Sequence, residues 1–216
     1  MNDIHELKRL PSPAPKPQSL AWDGHLLWMG SRQTRRIYGI DPQAWRVTWE
    51  TEAPGTPYGI TVFGGNLLVL CGESADDNRI VRRCIPGKGF DPSFGIPCPD
   101  DTGSQLANDG SRLTISQWYP KKVIAVDAKG HPQRVIQVQH GICGQVHVDG
   151  AIYLMTTDDE ETTDYWLTRL DPRDANPQPV DLVRVPFAAR ALAWDGTHFW
   201  TNHREANQIV CFPRPD

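Results

Sequence analysis

Hydrophobic residues along this chain come in short runs, cut by Gly, Pro, Asp and Asn before a 3.6-residue period can develop. The pattern predicts strands and almost no helix. Apolar segments such as Ile37-Tyr38-Gly39-Ile40, Val123-Ile124-Ala125-Val126, Trp166-Leu167-Thr168-Arg169-Leu170 and Ile209-Val210-Cys211-Phe212 have the length of strands. Between many of them stands Asp-Gly or Gly-Gly, a strong hairpin signal because a type I′ turn needs φ > 0 at both central residues. Asp41, Asp127 and Asp171 mark a second set of turns, each before a further strand such as Arg46-Val47-Thr48-Trp49 or Arg134-Val135-Ile136-Gln137-Val138.

The runs repeat. Leu20-Ala21-Trp22-Asp23-Gly24 returns as Leu192-Ala193-Trp194-Asp195-Gly196, with looser copies at Leu106-Ala107-Asn108-Asp109-Gly110 and Val146-His147-Val148-Asp149-Gly150, and Thr61-Val62-Phe63-Gly64-Gly65 in the second unit. The closing glycines Gly24, Gly65, Gly110, Gly150 and Gly196 stand 41, 45, 40 and 46 residues apart. Four short strands per unit of that length is the period of a propeller blade. The expectation is an all-β, five-bladed β-propeller with four antiparallel strands per blade, one domain over residues 1–216. Its blades fall at about 19–58, 59–103, 104–142, 143–189 and 190–216, the last completed by residues 4–10. That completion is read from Glu6-Leu7-Lys8-Arg9-Leu10-Pro11, which resembles Asp181-Leu182-Val183-Arg184-Val185-Pro186 ahead of the recurring pentapeptide. A fifth unit that stops after its third strand would borrow its outer strand from the N-terminal segment, closing an open ladder edge.

Trp22, Trp28, Trp194 and Trp200 occupy equivalent repeat positions, so packing between blades explains them. Function is expected on the face opposite the tight Asp-Gly turns, where longer connections sit on a rigid frame. Counting from the glycines puts Arg32, Glu73, Trp118, Asp158 and Arg204 in one ring there. Gly30, Cys71, Ser116, Thr156 and Asn202 form a second, and Gln18, Gly59, Ser104, Gly144 and Arg190 a third. Convergent polar groups around a concave mouth form a candidate binding site. Arg32, Arg190 and Arg204 favour an anionic group, Trp118 offers a flat stacking surface, and Tyr58 and Asn202 are further candidate binding residues. His147 stands in a column otherwise filled by Ala21, Val62, Ala107 and Ala193. As a titratable group on an inner strand it is a candidate proton-transfer residue, with Glu73 or Asp158 as partner; a hydrogen-bonded core histidine is the simpler account. His203 is a second candidate acid or base, and His140 carries the same ambiguity. Cys143 beside His140 would form a Cys–His pair.

Composition narrows the field. A net charge of −4 gives no electrostatic reason to expect nucleic acid or an anionic membrane as partner. No apolar run approaches the roughly 18 residues that span a bilayer, and Met1 to Lys8 lack the apolar core of a secretory signal. The five cysteines are scattered without a CxxC pair, which fits reduced thiols and a cytoplasmic protein. The acidic runs at Asp158-Asp159-Glu160-Glu161 and Asp76-Asp77-Asn78 lack the spacing of a calcium loop and read as solvated loops. GxSxG, Walker and HExxH motifs are absent from the sequence.

The unit built on Leu-Ala-Trp-Asp-Gly followed by Ile-x-x-Ile-Asp-Pro resembles the blades of propellers of the glutamine cyclotransferase, virginiamycin B lyase and gluconolactonase types. The resemblance covers the whole chain but lies in scaffold residues. It implies a ligand in the channel mouth and, by family, cyclotransferase or lyase chemistry. The gluconolactonase likeness implies a divalent metal held by a Glu-Asn-Asp set, which Glu73, Asn202 and Asp158 would imitate; the cofactor stays open. Two functions remain: binding of a small polar or anionic molecule or short peptide, with or without turnover, or a protein-interaction platform.

Overall fold

The computed structural model describes residues 1–72 and 78–215. The chain opens with β1 (Lys8–Pro11). Blade one follows as β2 (Pro17–Trp22), β3 (Leu27–Ser31), β4 (Arg36–Asp41) and β5 (Arg46–Glu52). Blade two is β6 (Thr56–Phe63), β7 (Asn66–Gly72) and β8 (Arg79–Ile85). Two short strands that both pair with β8, β9 (Gly89–Phe90) and β10 (Ile96–Pro97), form its outer edge. A single 3-10 turn at Pro99–Asp101 leads into blade three: β11 (Gln105–Asn108), β12 (Leu113–Gln117), β13 (Lys122–Val126) and β14 (Pro132–Gln137). Blade four is β15 (Gly141–Val148), β16 (Ala151–Thr157), β17 (Tyr165–Leu170) and β18 (Val180–Val185). Blade five is β19 (Ala193–Trp194), β20 (His198–His203) and β21 (Gln208–Pro213), with β1 as its outer strand. Every ladder among the described residues is antiparallel, and a single parallel bridge joins Asp3 to Arg184. The innermost strands neighbour one another around a ring: β2 on β6, β6 on β11, β11 on β15, β15 on β19, and β19 back on β2. The protein is a five-bladed, all-β propeller.

The apolar residues that the repeat alignment puts on alternate strand positions meet between blades. Five buried clusters form, one at each seam. Tyr153, Phe199 and Phe212 lie in the seam between blades four and five, Ile115 and Leu70 between two and three. Each large side chain so buried contributes about 1.5–3 kcal/mol of hydrophobic free energy. Trp200 of blade five stacks on Trp45 of blade one, with ring centroids 6.0 Å apart.

The pentapeptide owes its recurrence to its aspartate. Asp23 Oδ1 accepts the amides of His25 and Leu26, while Oδ2 accepts Trp28 Nε1 at 2.7 Å. Asp195 repeats the set with Thr197, His198 and Trp200 Nε1, again at 2.7 Å. This corrects the expected turn type. Of the five tight turns that close the repeats, Gly64-Gly65 and Asp149-Gly150 carry two successive positive φ values; at Asp23, Asp109 and Asp195 the glycine alone is left-handed, and the carboxylate holds the turn.

The N-terminal clasp is present. Lys8 pairs with Cys211, Arg9 with Val210, Leu10 with Ile209 and Pro11 with Gln208. The paired strand begins later than residue 4, because the preceding residues reach a different blade. Ile4 donates its amide to Arg184 O, and Arg184 Nε donates to Asp3 Oδ1 at 2.7 Å. The segment therefore ties blade four to blade five. Among the described residues no helix is long and apolar enough to cross a membrane.

Candidate functional site

Every inner strand starts on the face of the longer connections and ends at the tight turns. The starts of these strands, with the connections between second and third strands, enclose a cavity of about 220 Å³ at that end of the channel. Arg32, Arg79, Arg190 and Arg204 line it, together with Tyr58, Trp118, Gln18 and Gln105; Glu160 is the one carboxylate among its described lining residues.

Arg190 is the most deeply set, 3% exposed. Its amide donates to Asn202 Oδ1 and its carbonyl accepts Gln105 Nε2 at 2.9 Å from across the channel, so its backbone is fixed at both ends. The guanidinium lies 3.0 Å from Glu160 Oε2 through Nη1, donates to the Glu160 carbonyl through Nη2, and approaches Cys143 Sγ at 3.5 Å. Arg204 donates to Gln18 Oε1 at 3.2 Å and pairs with Glu205. Burial, and then the charge on Arg190, hold the Arg204 guanidinium below its ordinary value, with Arg32 acting in the same direction. Mutual repulsion of this kind has no structural benefit, and its natural remedy is an anion.

The opposite wall carries Arg79 over the ring of Tyr58, 3.7 Å from its centroid. Gly72 makes this possible, since a Cβ there would overlap Arg79 Nη1 and the Tyr58 ring. Gly141 likewise admits Trp118, whose ring lies where a Cβ would stand. Several donors here have no acceptor among the described residues: Arg79 Nε and Nη1, Arg190 Nε and Trp118 Nε1 are buried and unpaired. Buried polar groups are paired in the great majority of cases, so four unpaired donors around one cavity mark a place for acceptors.

Arg32, Tyr58, Trp118, Arg190 and Arg204 all line this one cavity. Asn202 is not free: fully buried, it accepts Arg190 N and donates to Pro17 O at 3.0 Å, stapling blade five to blade one. Asp158 turns away from the mouth to His140 Nδ1 at 2.9 Å and Lys121 Nζ at 3.3 Å. Glu73 and the Asp76-Asp77 pair lie outside the described residues. A metal set of Asn202 and Asp158 does not assemble, and among the described residues no group of three or more His, Cys, Asp or Glu gathers around a common point. His203 stacks flat on Phe187 at 4.9 Å and is not among the residues lining the mouth. Cys143 borders the cavity, but burial pushes its thiol up to about 11 and His140 is engaged by Asp158 and Asp181, so the two form no nucleophilic pair.

His147 lies towards the other end of the channel, between blades three and four. Its Nε2 is 3.0 Å from Thr114 Oγ1, which accepts Gln145 Nε2. Burial pulls the imidazole down to about 4, against a weaker upward pull from Asp109. A neutral ring accepting the Thr114 proton fits this chain of bonds. Sequence reasoning missed Arg79, Glu160 and Gln105. Glu160 was visible only as part of an acidic run.

No family model matches the sequence, and no curated protein does. Solved structures do. The chain is similar to the glutaminyl cyclase of Myxococcus xanthus, at 11% identity over 99% of this chain and 100% of that one, with a TM-score of 0.70. It is also similar to the PQQ-bound aldose sugar dehydrogenase of Streptomyces coelicolor, at 14% identity over 98% of both chains and a TM-score of 0.61. At these identities the likeness establishes the propeller fold, which is compatible with ligand binding or enzyme activity.

Proposed function

We propose that the chain binds a small anionic molecule, or the anionic end of a short peptide, in the mouth of the channel. One observation carries this reading: four arginines converge on a cavity that has a single carboxylate among its described lining residues and buried donors left without acceptors. Charge-assisted bonds from guanidinium groups to an anion are the stronger class of hydrogen bond. Trp118 and Tyr58 border the same cavity beside these arginines.

The test is a thermal-shift and calorimetric screen of small carboxylic acids, amino acids, glutaminyl peptides, inorganic phosphate and divalent metals. A ligand at 100 times its dissociation constant stabilises by about 2.7 kcal/mol. Hits confined to anions support the reading; hits confined to neutral molecules or metals contradict it. Glutaminyl peptides are on the panel because one similar structure is a glutaminyl cyclase. Cyclotransferase-like or lyase turnover needs a proton-transfer group near the ligand. His147, Asp158 and His203 are not among the residues lining the mouth, so binding is favoured over turnover.

A protein partner is favoured by a separate feature. Tyr119 is 91% exposed and stacks on Trp118 at the rim, 5.6 Å between centroids. Exposed aromatics are common anchors at interfaces. Tyr119→Ala should leave small-anion binding within about twofold of wild type while abolishing capture of a partner that docks on the rim.

A further inference from the structure

Glu160 comes from a surface connection, the guanidinium it meets from the fixed wall. Its side chain is 42% exposed, against 3% for Arg190. The connection is held by its backbone: Thr157 Oγ1 donates to the carbonyls of Asp159 and Asp164, and the Glu160 carbonyl accepts both Arg190 Nη2 and Tyr165 OH. The carboxylate can therefore swing into solvent without unfolding the loop. While in place it answers only Arg190 Nη1, and Arg190 Nε, on the same guanidinium, stays without an acceptor.

A buried guanidinium with no counter-charge is strongly destabilising. Arg190 needs a carboxylate opposite it, and the chain supplies one that is easily withdrawn. We infer that Glu160 is an internal stand-in for the ligand, and that the ligand carries a carboxylate which displaces Glu160 from Arg190. This rests on the mouth being the binding site and names the ligand's chemistry. A free small acid and a peptide C-terminus both present that group. Apparent affinity is the intrinsic affinity reduced by the fraction of molecules in which Arg190 is free, so Glu160 sets a threshold for occupancy.

Calorimetry at pH 7 and low salt tests this with four probes: glutarate, N-acetyl-trialanine, its C-terminal amide, and inorganic phosphate. The proteins are wild type, Glu160→Gln, Arg204→Gln, and Glu161→Gln as a charge control on the same loop. A half-exposed ion pair is worth little, so Glu160→Gln is expected to bind glutarate or N-acetyl-trialanine about twofold to fivefold more tightly than wild type. Glu161→Gln should match wild type, and the amide should not bind. Whichever acid gains identifies a free acid or a peptide end as the source. Equal affinity in wild type and Glu160→Gln, with binding lost in Arg204→Gln, overturns the stand-in while the mouth survives as a site. An equal gain in Glu161→Gln reduces the effect to net charge and also overturns it. Binding of phosphate alone, or of the amide as well as the acid, removes the carboxylate class. If no anion binds any of the four proteins, the mouth reading itself falls.

Discussion

The two ends of the channel are built from the same five strands and differ in how their polar groups are settled. Toward the turns, Asn108 Nδ2 donates to Thr61 Oγ1 and Val62 O, His147 meets Thr114, and Asp23 and Asp195 each hold two amides and an indole. Each of these groups has found its partner inside the scaffold, and the aspartate's partners recur with the repeat. At the loop end, Arg32, Arg79, Arg190 and Arg204 are gathered at one cavity with buried donors unpaired. Internally paired polar groups define the fold. Convergent like charges oppose it.

Removing Met1 to Pro11 should have the largest effect, because both ends depend on ring closure. The deletion strips the outer strand from β21, takes away the buried Ile4 and breaks the tie to Arg184. The melting temperature is expected to fall by roughly 10 °C or more, given about 2–4 °C per kcal/mol for a domain of this size. Anion binding should be lost in parallel. This variant calibrates scaffold damage; an unchanged melting temperature would show that the clasp is dispensable.

Asp195→Ala should damage the turn end alone. It leaves the Trp200 indole and two amides without acceptors, a loss of about 2–3 kcal/mol. Chemical denaturation should register it, with ligand affinity in the mouth unchanged. Loss of binding without loss of stability would break the separation of the two ends.

His147 gives a pH signature to the turn end. Its folded value near 4 lies below the ordinary 6.5, so between the two the unfolded chain binds a proton that the folded chain does not. Stability is then full above about pH 6.5 and declines as pH falls toward 4, by no more than about 3 kcal/mol. His147→Gln should flatten that limb of a stability–pH curve. A limb unchanged in the variant would assign it to other groups.

The turn end was legible in the sequence because it is repetitive: the pentapeptide, the glycine spacing and the tryptophans each recur, and each recurrence has one packing cause. The aspartates betrayed their turns but not the type, since an Asx-held turn and a type I′ turn share the same letters. At the loop end, counting forward from the glycines located Arg32, Trp118 and Arg204. It failed where the connection itself decides the geometry. Asp158 occupies the same column but turns out to Lys121 and His140. Arg79 opens β8 and falls in none of the columns counted from the glycines. Glu160 sits two residues past its column on a loop that folds back over Arg190.

Arg204→Gln gives the smallest change in stability and the sharpest contrast between the ends. The substitution keeps a polar side chain but gives up the bond to Gln18 and the pair with the half-exposed Glu205. It also removes a charge that burial and the neighbouring Arg190 and Arg32 disfavour. These effects oppose one another, so unfolding free energy is expected to stay within about 0.5 kcal/mol of wild type or rise slightly. Affinity for an anion should nevertheless fall by about tenfold or more, because a charge-assisted bond in a part-buried site has been lost. A residue of the scaffold cannot behave this way: when its contacts go, stability goes with them, as at Asp195. If Arg204→Gln lowers stability by several kcal/mol, its guanidinium belongs to the internally paired set, and the mouth must be read as structure like the turn end.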